Sequence, residues 1–338
     1  MPKTACLLAV LLLAAAPAPA QRVLFVDADA TGAGDGTTWA DAFPRLQDAL
    51  AAARPGDELW VAEGVYRPDR GAGIAPGDRT AYFDLRSGIA LYGGFGGTET
   101  RRDERDWTAH ETILSGDLAG DDGDVLDPFD PTRADNAFHV VGAGDAARGP
   151  ASATAILDGF TVTGGNANAL GIDPNNTGGG FCIILESRPT LRHLVVTRNT
   201  ARFGGGMGLV SLAAPALEDV VFRENAASEK GGGAWSFVSR PTMRGVRFER
   251  NRSDGRGGGL FNEGSAALID DAVFIGNAAG LDGGGIASER DNSVLTNARV
   301  LGNTAPRWGG GMFNVRSAPI LMNVVFSGNA STEAGTGD

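Results

Sequence analysis

The sequence is poor in cysteine and in lysine. Its two cysteines are Cys6 and Cys182, and Cys6 lies in an apolar leader that we expect to be removed, so no internal disulfide framework is expected. Lysine occurs only at Lys3 and Lys230, and 41 acidic residues face 29 basic ones, which gives a formal net charge of -12. This charge argues against a nucleic-acid partner, because phosphates require a basic surface.

No apolar run is long enough to cross a bilayer, which takes about 20 residues. The most apolar stretch, Ala5 to Ala16, follows Lys3 and precedes the small residues Ala18-Pro19-Ala20. This order is typical of a secretory signal peptide. We therefore predict a signal peptide over residues 1–20, no transmembrane segment, and a secreted protein that is extracellular or associated with the outer membrane.

Glycine, by contrast, is abundant. There are 51 glycines among the 338 residues but only 16 prolines. Average glycine usage is roughly 7%, so the sequence holds about twice the usual share. Such glycine use predicts many tight turns, which favours an all-β repeat architecture over a helix bundle.

The second half of the chain repeats itself with a constant period of 26 residues. One column of the repeat is asparagine: Asn199, Asn225, Asn251, Asn277, Asn303 and Asn329. An apolar residue stands three positions before each asparagine: Val196, Phe222, Phe248, Phe274, Val300 and Phe326. Glycine triplets recur at 178–180, 204–206, 231–233, 257–259, 283–285 and 309–311. This period, with short β-branched and aromatic runs, predicts one coil of a parallel β-helix per repeat.

Stacked coils explain why the columns are uniform. Each strand lies about 4.8 Å above its equivalent in the preceding coil, so a column becomes a ladder along the axis. We expect the asparagine amides to hydrogen-bond to one another within the interior, and the asparagines themselves to adopt the left-handed backbone conformation that this residue tolerates. The fold prediction is an all-β, right-handed parallel β-helix, that is, a solenoid.

The repeat motifs carry a resemblance to a known family. The motifs GGGM, GGGA, GGGL and GGGI, with FRENA, FERNR, FIGNA and FSGNA, resemble the GGA(I/L) and FxxN repeats of the polymorphic outer-membrane proteins. More broadly, the chain resembles right-handed parallel β-helix proteins of the pectin-lyase-like fold over about residues 160–337. The resemblance implies a fold and no single reaction, because lyases, hydrolases, adhesins and passive surface proteins share it.

The first half is expected to begin the solenoid. Residues 43–53 place Leu46, Ala49, Leu50 and Ala53 on one helical face, which predicts an α-helix that caps the N-terminal end. We divide the chain into residues 1–20, residues 21–155 with the cap helix and irregular first coils, and residues 156–338 with regular coils. The C-terminal end is predicted to be uncapped, and self-association through it is one expectation.

The acidic loop near residue 120 is a candidate calcium site. Its carboxylates are Asp117, Asp121, Asp122 and Asp124, and they are followed by Asp127, Asp130 and Asp135. Carboxylate oxygens are hard ligands that suit Ca²⁺, although the spacing does not match an EF-hand loop. The alternative interpretation is a solvated acidic surface loop. Calcium is the only cofactor that the sequence suggests.

Candidate general bases are scarce. They are His110, His139, His193 and Lys230, and the regular coils add one adjacent carboxylate pair, Asp270 and Asp271. Adjacent strand residues point to opposite faces, so this pair is unsuited to the paired-carboxylate chemistry of glycoside hydrolysis. No constellation converges, and the sequence therefore favours a protein without catalysis.

An aromatic column is the candidate ligand-binding site. Trp235, Phe261 and Phe313 each stand two residues after a glycine triplet, next to a uniformly apolar column that should face inward. Alternation along a strand then places these three rings on the outside of one sheet. Exposed aromatics in line suit a polysaccharide or another cell-surface protein, whereas a phase error would place them in the core.

Two functions remain open at this stage. The first is a secreted or cell-surface β-helix protein without catalytic activity, which has a binding, adhesive or structural role at the cell envelope. The alternative is a polysaccharide-active enzyme, either a lyase or a hydrolase, with the pectin-lyase-like fold.

Overall fold

A computed structural model describes residues 22–171 and 174–332. Within them the secondary structure consists of one α-helix, 29 β-strands and three single-turn 3-10 helices at Arg102–Glu104, Pro131–Arg133 and Pro174–Asn176. The predicted signal peptide lies outside the described residues, as do residues 335–337 at the predicted open end. Among the described residues, no helix has the length and apolar character to span a membrane.

The strands form three parallel sheets, and each regular coil contributes to all three. The first sheet contains β1 Val23–Val26, β2 Glu58–Ala62, β3 Gly64–Tyr66, β5 Ala90–Phe95, β6 Thr112–Ser115, β8 Ile156–Asp158, β9 Thr161–Thr163, β12 Thr190–Thr197, β15 Ala216–Arg223, β18 Thr242–Arg244, β19 Arg247–Glu249, β22 Leu268–Ile275, β25 Val294–Leu301 and β28 Ile320–Ser327. The second contains β10 Asn166–Ala167, β13 Thr200–Phe203, β16 Ala226–Lys230, β20 Arg252–Ser253, β23 Ala278–Ala279, β26 Thr304–Ala305 and β29 Ala330–Ser331. The third contains β4 Phe83–Asp84, β7 Val141–Ala143, β11 Phe181–Ile183, β14 Met207–Leu209, β17 Ala234–Phe237, β21 Leu260–Glu263, β24 Ile286–Glu289 and β27 Met312–Val315.

The chain is thus a right-handed parallel β-helix, as the period predicted. Strand pairing follows the 26-residue register, so that Phe222 lies between Val196 and Phe248 in successive coils. The rings of Phe222, Phe248 and Phe274 stack with centroids 4.8 Å apart and nearly parallel planes, at 8° and 1°. This distance equals the spacing between strands, and the stack lies inside the main apolar core.

The asparagine ladder is confirmed. Asn251 Nδ2 donates to Asn277 Oδ1 at 3.0 Å, and the Asn251 backbone N–H donates to the same oxygen at 3.0 Å. Asn251 Nδ2 also donates to the Phe222 carbonyl at 2.9 Å. The pattern repeats from Asn199 to Asn329, and the amides from Asn199 to Asn303 are fully buried.

The predicted conformation of the asparagines was wrong. The residue before each asparagine has the positive φ instead, with 55° at Arg198, 54° at Glu224 and 50° at Arg250. Glycine takes this position in the later coils, including Gly276 and Gly302. The left-handed backbone conformation of the preceding residue directs the asparagine side chain inward, where it reaches the carboxamide of the asparagine in the next coil.

The glycine triplets serve two needs. Their first residue has a positive φ, for example 70° at Gly257. At the middle residue, Gly258, a Cβ would lie 2.4 Å from the carbonyl oxygen of Ala278 and 2.5 Å from that of Gly284. Only glycine allows the backbones of neighbouring turns to approach this closely.

The N-terminal helix is present but shorter than predicted. Helix α1 spans Leu46–Ala52 and buries Leu46, Ala49 and Leu50 against the main core, beside the first strand of the first sheet. It begins three residues later than expected, because Phe43 is engaged in backbone pairing with β1, where its N–H donates to the Phe25 carbonyl. Pro44 therefore precedes the helix.

The last described coil exposes its apolar residues. Strand β28 lies at the end of the first sheet, and Ile320, Met322 and Phe326 are all exposed. Self-association through this coil stays a prediction.

Candidate ligand-binding groove

A groove lies on the outer face of the third sheet, next to strands β11, β14 and β17. Its cavity volume is about 660 Å³, and most of its lining is apolar. The lining residues include Cys182, Ile184, Leu185, Phe203, Val210, Trp235 and Phe237. We call this feature the aromatic groove.

Strand alternation builds one wall of the aromatic groove. In β17, Ala234 and Ser236 are buried, while Trp235 and Phe237 point outward. The positions of the preceding coils in register with Trp235 are Gly208 and Cys182, whose small side chains leave space beside the indole. Burial raises the pKa of the Cys182 thiol to about 12, so this residue lines the groove as a neutral side chain.

Trp235 is the centre of a cluster of three aromatic residues. The indole centroid lies 4.9 Å from the ring of Phe203 and 5.3 Å from that of Phe237, with interplanar angles of 33° and 22°. Phe237 is the most open of them, with 37% of its surface exposed. Phe203 lies on β13 of the second sheet, so the cluster spans the corner between the second and third sheets.

Ion pairs border the cluster. Trp235 Nε1 donates to Glu263 Oε2 at 3.3 Å, and the same carboxylate oxygen pairs with Lys230 Nζ at 2.9 Å. Arg202 is the only charged side chain among the described residues that line the groove. Its Nη2 lies 3.1 Å from Glu229 Oε1.

Of the predicted aromatic column, only part is accessible. Trp235 and Phe261 are neighbours in register, as expected, and Trp235 and Phe313 are partly exposed. The predicted exposure of Phe261 was wrong, because its ring is fully buried. It lies on the outer face of the sheet, but Lys230 covers it, with Nζ 4.9 Å from the ring centroid.

Phe313 does not extend the cluster. Ala287 separates it from Phe261 in the register, and its nearest aromatic partner is Trp308, at 6.1 Å between centroids. Phe203 and Phe237 were missed by the sequence analysis. The position of Phe237, two residues after Trp235 on the same strand, could have identified it by alternation, whereas Phe203 lies on another sheet.

The acidic loop brings together two of its four predicted ligands. Carboxylate oxygens of Asp117, Asp121 and Asp135 all lie within 4.8 Å of one another. Asp117 Oδ1 accepts the backbone N–H of Gly120 at 2.6 Å, which holds the loop in place. Asp135 belongs to the acidic loop but was not among the four predicted ligands.

Asp122 and Asp124 face other partners. Asp122 lies 3.2 Å from the guanidinium of Arg133, which is fully buried, and accepts from Asn136 Nδ2 at 3.0 Å. Burial raises the pKa of the Asp122 carboxyl, although the charge of Arg133 acts in the opposite direction. Asp124 is exposed, 3.4 Å from Arg198. The prediction that Asp122 and Asp124 join Asp117 and Asp121 in a single site was therefore wrong.

Each candidate base contacts a different partner. His110 Nδ1 lies 3.1 Å from Glu63, and the buried His139 contacts the Gly178 carbonyl at 2.9 Å. Lys230 is paired as described above. His193 Nδ1 lies 2.8 Å from Asp158 Oδ1.

The His193 contact is part of a packed cluster that the sequence did not reveal. Arg105 also pairs with Asp158, at 2.8 Å, and Trp107 stacks on the imidazole with centroids 4.4 Å apart. Asp158 and Arg105 are nearly inaccessible to solvent. The cluster fastens the segment after β5 to the outer face of the first sheet.

The pair Asp270 and Asp271 is also structural. Asp270 accepts from Thr296 Oγ1 at 2.6 Å and from Asn297 Nδ2 at 2.8 Å, and these hydrogen bonds lower its pKa. Asp271 has a φ of 51°, so the strand turns between the two carboxylates instead of alternating regularly.

Comparison with solved structures agrees with the architecture. The chain is similar to pectate lyase Pel9A, with a TM-score of 0.51 and 12% identity over 94% of this chain and 78% of that one. It also aligns with a rhamnogalacturonan lyase, with a TM-score of 0.34 and 11% identity over 93% and 90% of the two chains. The class that the fold and the comparison define is the right-handed parallel β-helix, and at this identity the likeness to pectate lyase Pel9A is one of fold alone.

Comparison by sequence adds no family. No family model matches the chain, and no curated protein matches it. The repeat type of the polymorphic outer-membrane proteins therefore stays a prediction.

Proposed function

We propose that this protein is a secreted or cell-surface β-helix that binds polysaccharide in the aromatic groove without cleaving it. The observation that carries the proposal is the cluster of Phe203, Trp235 and Phe237 beside a cavity of about 660 Å³ on the outer face of the third sheet. Aromatic side chains offer large apolar faces on which sugar rings stack. Ser211 and Arg202 also line the cavity and offer hydrogen-bonding groups for hydroxyls, whereas the buried amide of Asn176 is bonded to Gly171 and Thr177.

Among the described residues, no acid and base converge on one accessible point, which supports binding over catalysis. Proton abstraction requires a base within hydrogen-bond reach of the substrate. Lys230 lies beside the groove, but its ammonium is bound to Glu263 and lies over the ring of Phe261. The alternative function, a polysaccharide lyase or hydrolase, draws its support from the fold shared with pectate lyase Pel9A.

Binding should depend on the exposed ring of the cluster. We expect Phe237→Ala to weaken binding by about 10-fold, which corresponds to 1.4 kcal/mol, because the ligand loses an apolar face. The assay is affinity electrophoresis through gels that contain a β-glucan, a xylan or polygalacturonate. The control is Trp308→Ala, which removes an aromatic residue that is 58% exposed and lies outside the groove. Equal effects of the two variants would contradict the proposal.

The same panel separates binding from cleavage. Incubation of the wild-type protein with polygalacturonate and Ca²⁺ should produce no rise in the ultraviolet absorbance of unsaturated sugars. A steady rise that is proportional to protein concentration would establish the lyase alternative instead.

We also propose a calcium site at Asp117, Asp121 and Asp135. Three carboxylates whose oxygens converge within 4.8 Å are the donor set that Ca²⁺ prefers. The bound ion would neutralise this charge and hold the loop in place.

Calcium should then stabilise the fold through Asp121. A ligand present at 100 times its Kd adds about 2.7 kcal/mol to the free energy of unfolding, so Ca²⁺ should raise the Tm of the wild-type protein. Asp121→Asn should abolish most of this rise. Asp124→Asn, an exposed residue outside the cluster, should keep it. If Ca²⁺ leaves the wild-type Tm unchanged, the loop is a solvated acidic surface.

A further inference from the structure

We infer that the aromatic groove selects a neutral glycan of β-linked glucose or xylose units and discriminates against polymers of uronic acid. This inference rests on the proposed function and names the ligand class of the same groove. It sets the chain apart from the polymer that the name of its structural neighbour, pectate lyase, implies.

The first argument is that the cations near the groove already have partners. Arg202, the only charged lining residue among those described, lies 3.1 Å from Glu229. Lys230, which borders the groove, lies 2.9 Å from Glu263. A uronate carboxylate would therefore meet no free cation at this cluster.

The second argument is that exchanging partners leaves an uncompensated charge. If a uronate displaced Glu229 from Arg202, the carboxylate of Glu229 would remain unpaired beside the ligand. Glu263 is fixed next to the indole by its hydrogen bond from Trp235 Nε1. Like charges a few ångströms apart repel one another even near the surface, and the chain's net charge of -12 adds to this field.

The third argument comes from the shape of the lining. Ile184, Leu185, Val210 and Phe237 present apolar surface to the cavity. Sugars whose ring substituents are all equatorial, such as β-glucose and β-xylose, have two apolar faces made of C–H groups. Galacturonate has an axial hydroxyl and an ionised carboxylate, so its burial here would leave polar groups without partners.

Isothermal titration of the full chain with cellohexaose, xylohexaose and hexagalacturonate tests the inference. At low salt, we expect the wild-type protein to bind at least one neutral hexamer about 10-fold more tightly than hexagalacturonate, a difference of 1.4 kcal/mol. Glu229→Gln should strengthen the binding of hexagalacturonate, because Arg202 is released, and leave the neutral hexamers unchanged. The control is Glu224→Gln, which breaks a similar pair between coils, Arg250 with Glu224 at 2.8 Å, outside the groove lining.

The outcomes separate this inference from the proposal on which it rests. If hexagalacturonate binds more tightly than both neutral hexamers and Phe237→Ala weakens it, the groove binds glycan but the assigned class is wrong. If none of the three hexamers binds, the proposed function itself fails. If Glu229→Gln has no more effect on hexagalacturonate than Glu224→Gln, the charge argument is overturned.

Discussion

Replacing Asn277 by alanine should lower the free energy of unfolding by about 3 kcal/mol or more, because buried groups that lose their hydrogen-bond partner cost about 1–3 kcal/mol each. Asn277 Oδ1 accepts both the side-chain amide and the backbone N–H of Asn251. Its Nδ2 donates to the Phe248 carbonyl at 2.8 Å and to Asn303 Oδ1 at 2.9 Å. Alanine leaves the backbone N–H of Asn251 without a partner in a site that water does not reach.

Urea unfolding followed by circular dichroism measures this loss. The matched control is Asn292→Ala, since Asn292 is exposed and lies outside the ladder. The control should change stability by less than about 0.5 kcal/mol. If both variants unfold at the same urea concentration as the wild type, the ladder does not stabilise the solenoid.

Phe248→Ala should destabilise the protein by about 3–5 kcal/mol, the range found when large buried side chains are truncated. Phe248 lies in the middle of the ring stack, 4.8 Å from both Phe222 and Phe274, and is fully buried. The preceding and following coils hold their own rings in place, so the cavity cannot collapse easily.

Phe237→Ala removes the same side chain from the outer face and should cost less than about 1 kcal/mol. Thermal unfolding of the two variants gives the comparison. A larger loss from Phe237→Ala than from Phe248→Ala would reverse the assignment of inner and outer faces. A small loss also makes Phe237→Ala suitable for the binding assays.

The architecture could be predicted from sequence because stacked coils require the same type of residue at the same position, which produces a periodic sequence. Each coil must solve the same packing problem at the same position, so Asn251 and Asn277 stand 26 residues apart and make the same contacts. The start of the helix was harder to predict, because its position at Leu46 depends on the pairing of Phe43 with β1.

The candidate site was only partly predictable, since its members come from different sheets. Alternation placed Trp235 and Phe261 on the outer face, but the burial of Phe261 depends on the long side chain of Lys230, which reaches over it from the second sheet. In the acidic loop, Asp122 is drawn away by the buried charge of Arg133. No local pattern contains these long-range contacts.

The most direct test of glycan binding in the aromatic groove is a titration that follows tryptophan fluorescence in the wild-type protein and in variants with one tryptophan replaced. Cellohexaose, xylohexaose and hexagalacturonate are each added to the wild-type protein, to Trp235→Phe and to Trp308→Phe. The proposed function predicts a saturable change in emission with at least one hexamer, kept in Trp308→Phe and lost in Trp235→Phe while circular dichroism stays unchanged. No change with any hexamer in the wild type, or a change that survives in Trp235→Phe, would contradict it.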